Sequence, residues 1–479
     1  MESIVNEELL SFKEMEQKIY QYVCFLGREL TRIILERYDK ELMEGRDPGL
    51  YRNKGTRQTS IKTLYGTVEY SRHVYQAIQE DGLRVCIYLL DEAMKMDKIG
   101  MISTNLAEKI AMTITEATYR TTAETISSTC GQCISHTGVW NLIQKIGERI
   151  NEEEEASVMR MRSDHTSGEK IIPVLFEEMD GVWLHMQGPD HKKRPKQEMK
   201  VCTTYEGWDE QFEKIKRSKL VGKRMLAGME DSKSFHEKRE AMIRDIYDAD
   251  EIKQRILNGD GGSWIKDEYD PDTIFQLDRF HIHKEIKRLI GDVEAQQRIW
   301  ELFEQEKIDE MLKYILIYAD SVDRDDDKGK AKDNTLKLYS YLINNKDGLL
   351  PYDKRGIPIP APQEGMLHKS MGVQENQNCT LITMRMKHRR MRWGKGANNL
   401  AKVMCRKENK ELVETIDRYS DGLVTTMYLT AIVESLSAGK SPKYDGKGNN
   451  PYPDIFGAHM PMIEAMQTAS RKAFIRAFT

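Results

Sequence analysis

Cysteine is scarce in this chain: seven in 479 residues, odd in number and scattered. That is no disulfide framework and suits a reducing cytoplasm. Prolines number only 13, and 39% hydrophobic residues stand beside 31% charged ones, so a disordered or low-complexity chain is excluded. No run of about 18 apolar residues occurs, so no membrane-spanning helix is expected. Acid and base nearly cancel, leaving a formal charge of -4, and any role on nucleic acid must come from local patches. The opening MESIVNEELLSFKEMEQKIY is acidic and interrupted by charge every few residues, unlike a secretory signal. There are no internal repeats. A cytoplasmic globular protein of two to four domains is expected.

What is present begins with helical periodicity over residues 1–50, where Leu9, Phe12, Met15, Ile19, Val23, Leu26, Leu30 and Ile34 recur every three or four residues. Residues 51–160 read as a DNA-binding region. GTRQTSIKTLYGTVEYSRHVY alternates about a central YGT, as a β-hairpin does, and carries Lys54, Arg57, Lys62, Arg72 and His73. Those bases fit DNA phosphates or a solvated surface equally well. YRTTAETISSTCGQCISHTGVWNLIQKIG then predicts a helix through Ala123 and Ile126, a turn at Gly131, a Ser135 N-cap and a second helix with Val139, Leu142, Ile143 and Ile146 inward. This is the pattern of a helix-turn-helix or of any short core hairpin. On the first reading His136, Thr137, Asn141 and Gln144 are the exposed side chains that read bases. Cys130 and Cys133 lack the further ligands of a zinc site and the leading strand of a redox pair, which leaves a structural turn.

After an acidic linker, NEEEEASVMRMRSDHTSGEK, strand signals resume. IIPVLFEEMDGVWLHMQ alternates through Val174, Phe176, Glu178 and Asp180 and then restarts after an Asp-Gly turn; MKVCTTYEGW and RILNGDGGSWI read as two more strands. A helical stretch lies between about 279 and 345, and ENQNCTLITMRMKHRRMRWGKGANNLAKVMC reads as helix, basic loop, helix. From residue 441 the composition is irregular before a last helix, MIEAMQTASRKAF.

In LNGDGGSWI one acid stands among three glycines. Such a stretch is either a turn or a place where an ion or phosphate approaches the backbone, with Asp260 as a hard oxygen ligand. Asp180 on one strand, Asp260 at the end of another and Glu375 opening a later helix are what a two-metal phosphoryl site requires of its carboxylates. Glu178, on the same strand face as Asp180, is either a ligand or a supporting acid. Residues 380–410 carry ten Lys or Arg and one acid, Glu408, a patch suited to the DNA backbone or to a solvated helix face. Within it Trp393 either stacks on a displaced base or belongs to the core.

The ordered set EEMDGVWLHMQ, Lys200 before YEGW, GDGGSWI, LDRFHIHK and ENQNCTLITMRMKHRRMRWGKGANNLAKVM, preceded by YGTVEYSRHVY and LLDEAM, resembles the ISLre-type insertion-sequence transposases of bacteria over nearly the whole chain. The resemblance implies an α/β chain with a ribonuclease H-like catalytic core and an α-helical insertion, behind a mainly helical DNA-binding region. The core would occupy 165–278 and 366–440, the insertion 279–365 and a tail 441–479. It implies Asp180, Asp260 and Glu375 as a catalytic, metal-binding DDE triad for two Mg²⁺ ions, with Mn²⁺ able to substitute. Asp278-Arg-Phe-His281 is similar to the Asp/Cys-x-x-His signature of Mutator-like transposases, so His281 would touch DNA or orient the site. Arg385, Lys387, Arg389, Arg390, Arg392, Trp393 and Lys395 are the expected DNA contacts of the basic loop, although RWGKG departs from the Trp-Ser common in that family. The implied activity is Mg²⁺-dependent hydrolysis at the ends of a mobile element and transfer of the 3′-hydroxyl to target DNA. Double-stranded DNA and a homo-oligomer in the synaptic complex are the implied partners, with no membrane and no covalent enzyme intermediate. A metal-dependent nuclease without strand transfer and a catalytically silent DNA binder stand as alternatives.

Overall fold

The computed structural model describes residues 11–78, 83–95, 100–188, 192, 195–266, 272–322 and 330–419. The expected last helix and the tail from 441 lie outside these residues. The described chain divides into two compact units, the first built from residues up to Lys109, Ala123–Ser135 and from Ile416 onward, the second from Ile110–Thr122 and His136–Thr415.

In the first unit, Ser11 opens α1 (Phe12–Gly45) with a capping box, its hydroxyl accepting from the Glu14 amide while Glu14 reaches back. A three-stranded antiparallel sheet follows: β1 (Arg52–Thr63), β2 (Gly66–Ile78) and β3 (Arg84–Ile87), in that order. The hairpin expected around YGT is therefore present, turning at Gly66 with φ +123°. Val68, Tyr70 and Val74 alternate inward along β2, and Val68 and Tyr70 meet Leu35 of α1 and Leu90 and Met94 of the short α2 (Leu89–Met94). Arg72 on that inward face is held by Asp91 at 2.7 Å and by the Tyr88 ring, and His73 by Asp39 at 2.5 Å. Of the hairpin's bases, Lys54 and Arg57 are exposed.

The chain continues through α3 (Thr104–Ile114) and α4 (Tyr119–Thr129) into α5 (His136–Arg162). Both helices of the expected pair exist, but α5 runs 27 residues and absorbs the first part of the expected acidic linker. Its inward positions Val139, Leu142, Ile143, Ile146 and Ile150 hold a helical period that Ser157 and Val158 resume past the acidic run.

The second unit is centred on a five-stranded mixed sheet ordered β10-β9-β4-β5-β8, from β4 (Val174–His185), β5 (Lys196–Tyr205), β8 (Arg224–Gly228), β9 (Gln254–Gly259) and β10 (Ile274–Leu277). Central β4 is antiparallel to β5, which is antiparallel to β8; on its other side β4 is parallel to β9, and β9 to β10. A small sheet of β6 (Gly207–Asp209), β7 (Leu220–Val221) and β11 (Met366–Leu367), with α6 (Glu210–Lys214), lies off the end of β5. Behind the sheet, α7 (Ser232–Ile246) covers one face through charge as well as apolar contact. Arg255 of β9 donates to Glu177 of β4 at 2.7 Å and to Glu240 of α7 at 2.8 Å, with Arg239 of α7 beside Glu177. Each buried charge in this network therefore faces one of opposite sign.

Residues 279–343 form α8 (Arg279–Leu289), α9 (Val293–Glu304), α10 (Ile308–Val322) and α11 (Lys330–Ile343), which share one apolar core of Ile282, Ile286, Ile299, Leu302, Met311, Ile315, Leu338 and Leu342. The chain returns as α12 (Gln374–Asn378), a nine-residue π-helical segment Cys379–Lys387, an extended loop, α13 (Gly396–Glu408) and α14 (Leu412–Asp417). α13 crosses α5 closely because Gly147 carries no Cβ; one placed there would lie 2.6 Å from the Asn399 Cα.

Candidate metal centre

Asp180 stands in the middle of β4, not at its end. The expected Asp-Gly turn is absent: Asp180 and Gly181 are paired with Val201 and Lys200, and the strand runs on to His185. Gly181 is there because the Glu198 side chain crosses over it, where any Cβ would collide. β9 pairs with β4 only as far as Met179↔Gly259 and then ends, so Asp260 leaves the sheet beside Asp180. Asp260 forms a tight turn, its Oδ1 accepting from the Gly262 amide at 2.8 Å, while Gly261 takes φ +82° against Asn345. The three glycines thus serve the turn and close packing, and the acid is presented at its apex. Trp264, half-buried against Phe235 at 6.0 Å, anchors the loop to the core beneath.

His281 comes from the first turn of α8. Asp278 caps that helix, accepts from the His281 amide and holds Nδ1 at 2.9 Å, which leaves Nε2 directed at Asp180 Oδ1, 3.8 Å away. Asp180, Asp260 and His281 each offer a ligand atom within 4.8 Å of the others, the one such group of His, Cys, Asp or Glu among the described residues. Burial pushes the Asp180 carboxyl up to about 6; His281 and the Gly181 amide oppose this, while Asp260 and Glu375 add to it. For His281, burial acts downward, but the hydrogen bond to Asp278 and the charges of Asp180 and Asp260 leave it above its ordinary value. A carboxylate pair with an imidazole oriented through its other nitrogen by a third acid is a donor set that fits a divalent cation.

Glu375 lies in the first turn of α12, exposed, near enough to raise Asp180 but outside the compact group. The residue of α12 that touches Asp180 is Asn378, one turn on, whose Nδ2 donates to Oδ2 at 2.7 Å. Glu178 has a different task. Fully buried, it accepts from the amides of Gly372, Val373 and Gln374, from Tyr205 Oη at 2.6 Å and from Asn258 at 3.0 Å. Burial pushes its carboxyl up and these donors pull it back. Occupied on all sides, Glu178 pins the start of α12, and with it Glu375 and Asn378, to the strand that carries Asp180. Asn258, Asn378 and Glu198 escaped sequence reasoning because single polar residues in strands or a short helix carry no periodic signal, whereas Asp278 was visible through its Asp-x-x-His spacing.

Of the residues expected to meet DNA, His136, Thr137 and Asn141 are exposed on the first turns of α5. Gln144 is not: it is buried, its side-chain oxygen accepting from Asn399 of α13 at 2.9 Å. Arg385 and Trp393 are likewise interior. Arg385 donates to the Ile114 carbonyl and sits over the Trp393 ring, and Trp393 Nε1 donates to the Met386 carbonyl at 2.7 Å. The C-terminal half of the basic stretch is also committed, Lys402 to Glu154 and Glu230, Arg406 to Glu411 and Glu153, Lys407 to Glu116. Apart from Lys410 at the far end of the stretch, the exposed cations are Lys387, Arg389, Arg390, Arg392 and Lys395, in a loop where both Arg389 and Arg390 adopt left-handed backbone. Backbone bonds between Trp393 and both His185 and Gln187 stitch this loop to the end of β4. Six residues of strand separate Asp180 from that bridge, about 20 Å at the usual strand rise. Gly396, immediately after the loop, lies against Trp140 and Gln144, so the loop and the exposed start of α5 are neighbours.

Fold and site together define a mixed α/β protein with a candidate carboxylate–imidazole metal centre and a cationic loop pinned to the strand that bears it. No helix among the described residues is long and apolar enough to cross a membrane. The chain belongs to UPF0236, described as an uncharacterised protein family, whose model matches residues 5–416. A "UPF0236 protein in vanSb 3'region" from Streptococcus gallolyticus is 24% identical over 407 residues, covering 83% of each chain.

Proposed function

We propose that this protein is a DNA transposase with a ribonuclease H-like core, which cuts the ends of its element and joins the freed 3′-hydroxyl to target DNA. The observation that carries the reading is the delivery of Asp180 and Asp260 to one point by β4 and β9, neighbouring parallel strands of the five-stranded mixed sheet β8-β5-β4-β9-β10, with His281 beside them. Asp180 and Asp260, with Glu375 closing the rim, would hold Mg²⁺ or Mn²⁺. Such an ion, when bound, supplies charge stabilisation and an activated nucleophile for phosphodiester chemistry.

The chain's own residues do the rest. Asp278 fixes the His281 ring, so Nε2 can donate to a phosphate oxygen or join the carboxylates as a ligand. Glu178 and Asn378 hold α12 against β4 and so set where Glu375 stands. Lys387, Arg389, Arg390, Arg392 and Lys395 present a cationic strip about 20 Å from the acids, roughly six base pairs of duplex rise or a little over half a helical turn, beside His136, Thr137 and Asn141. Binding there would orient the duplex by its backbone. An excision assay in cells, with this gene and its native flanking DNA on a plasmid, tests the reading. Excised junctions with wild type and none with Asp260→Asn are expected; junctions from both would overturn the catalytic role.

A further inference from the structure

The backbone ladder between β9 and β4 ends at Met179↔Gly259, one residue short of both Asp180 and Asp260. Side chains must therefore set the gap between the two carboxylates. On the far side of its turn Asp260 is held by Tyr341, whose hydroxyl donates to the Asp260 carbonyl at 2.9 Å. The link toward β4 runs through Glu198. Past the ends of β8 and β9, residues 182–185 and 196–199 pair only with each other among the described strands, and Glu198 stands opposite Trp183 on the face that Gly181 shares. Its side chain folds back across the strand. A Cβ on Gly181 would lie 1.9 Å from Glu198 Oε1 and 2.6 Å from its Cδ, so the carboxylate rests on the peptide that follows Asp180. The same carboxylate accepts from the Trp264 side chain, whose one donor is the indole Nε1. A Cβ on Gly262 would lie 3.7 Å from that nitrogen, and the Gly262 amide is the donor that holds Asp260 Oδ1 at 2.8 Å. Lys200 supplies the counter-charge to Glu198, with Nζ fixed on the Glu230 carbonyl at 2.7 Å and 5.7 Å from the centre of the Trp264 ring. Glu198 thus touches both arms of the centre.

We propose that Glu198 is a positioning residue, which ties the turn of Asp260 to strand β4 through Trp264 and so fixes the gap across which the two acids share a cation. The inference rests on the reading of Asp180 and Asp260 as a metal centre. Glu198 lies outside the compact group of ligand atoms and acts through its neighbours. Removing it leaves Asp260 held from the Tyr341 side alone, and an ion that needs both carboxylates at once loses affinity.

Titration of the full-length protein with Mn²⁺, followed by calorimetry, tests this without requiring turnover. Glu198→Ala should weaken Mn²⁺ binding about tenfold or more, the usual cost of losing a residue that orients a metal ligand. Glu198→Gln keeps an oxygen for the indole N–H and should restore most of the affinity. Trp264→Phe keeps a ring and loses the N–H; it should match Glu198→Ala, and the two substitutions together should cost no more than either alone. Gly181→Ala puts a methyl where Oε1 lies and should reproduce the loss with both partners intact. Should Glu198→Ala fail to fold, as judged by circular dichroism, Trp264→Phe carries the test, and wild-type affinity there overturns the inference. Wild-type affinity in Glu198→Ala, additive losses in the double variant, or glutamine as damaging as alanine would each overturn it too. A wild type that binds no Mn²⁺ would overturn the metal-centre reading itself, and this inference with it.

Discussion

Asp180→Asn should stabilise the metal-free protein while abolishing its chemistry. In the folded chain the Asp180 carboxyl is pushed up to about 6 from 3.8, by burial first. Between those values the folded state keeps a proton that the unfolded state releases, so stability falls as pH rises through the window and the full penalty stands above about 6. A shift of that size corresponds to about 3 kcal/mol. Asparagine never ionises and escapes it. Against this, the new side chain keeps one oxygen to accept from Asn378 Nδ2, and its NH₂ then faces the Gly181 amide that bonded Oδ1, costing about 1 kcal/mol. The net gain is about 2 kcal/mol at pH 7.5, shrinking toward zero or reversing at pH 4.5. Urea unfolding of wild type and Asp180→Asn in EDTA at both pH values measures it. A variant no more stable than wild type at pH 7.5, or a gap equal at both pH values, would refute the reasoning that the site is a set of mutually repelling, desolvated acids.

Mn²⁺ and Mg²⁺ should both raise the wild-type melting temperature. Mn²⁺ should act at lower concentration because it accepts an imidazole nitrogen more readily, and His281→Ala should erase that advantage; no shift with either ion would argue against a metal centre. Glu178→Gln should cost about 2 kcal/mol or more in denaturant unfolding, since an amide NH₂ would face the donors of α12, Tyr205 and Asn258. Unchanged stability would mean that Glu178 does not pin the helix. Arg389→Ala, Arg390→Ala and Arg392→Ala should each weaken duplex DNA binding and lower the slope of log affinity against log salt by about one, measured by fluorescence anisotropy. Trp393→Ala should instead show its effect as lost stability.

Legibility in the sequence followed chemistry that repeats. The YGT hairpin, β4, β5 and β9, the helices of 279–343 and the basic loop announce themselves through alternation, helical period or charge density. β10 and β8 are short and carry little pattern of their own. α7 hides because His236, Lys238, Arg239 and Glu240 are buried, so its inward face does not read as apolar. The Asp-Gly pair at 180–181 misleads for a related reason: its glycine makes room for a neighbouring side chain and turns nothing. At the site, Asp180 and Asp260 were visible as acids on strands, but which acids converge depends on where β9 stops pairing with β4. Glu178 and Asp180 look equivalent in sequence, two residues apart on one face. The amides of residues 372–374 give the first a structural task and leave the second in the cleft. Arg385, Trp393 and Gln144 show the limit of charge and aromatic counting, since local density does not say which side chains turn inward.

The most direct measurement is a strand-transfer reaction with purified full-length protein, Mg²⁺ or Mn²⁺, labelled duplexes carrying the gene's native flanking sequences, and a target plasmid. The proposed function predicts cation-dependent 3′-end cleavage and joined products from wild type, with neither from Asp260→Asn. Cleavage without joining would leave a nuclease, and DNA processing equally fast with Asp260→Asn would contradict the account at its centre.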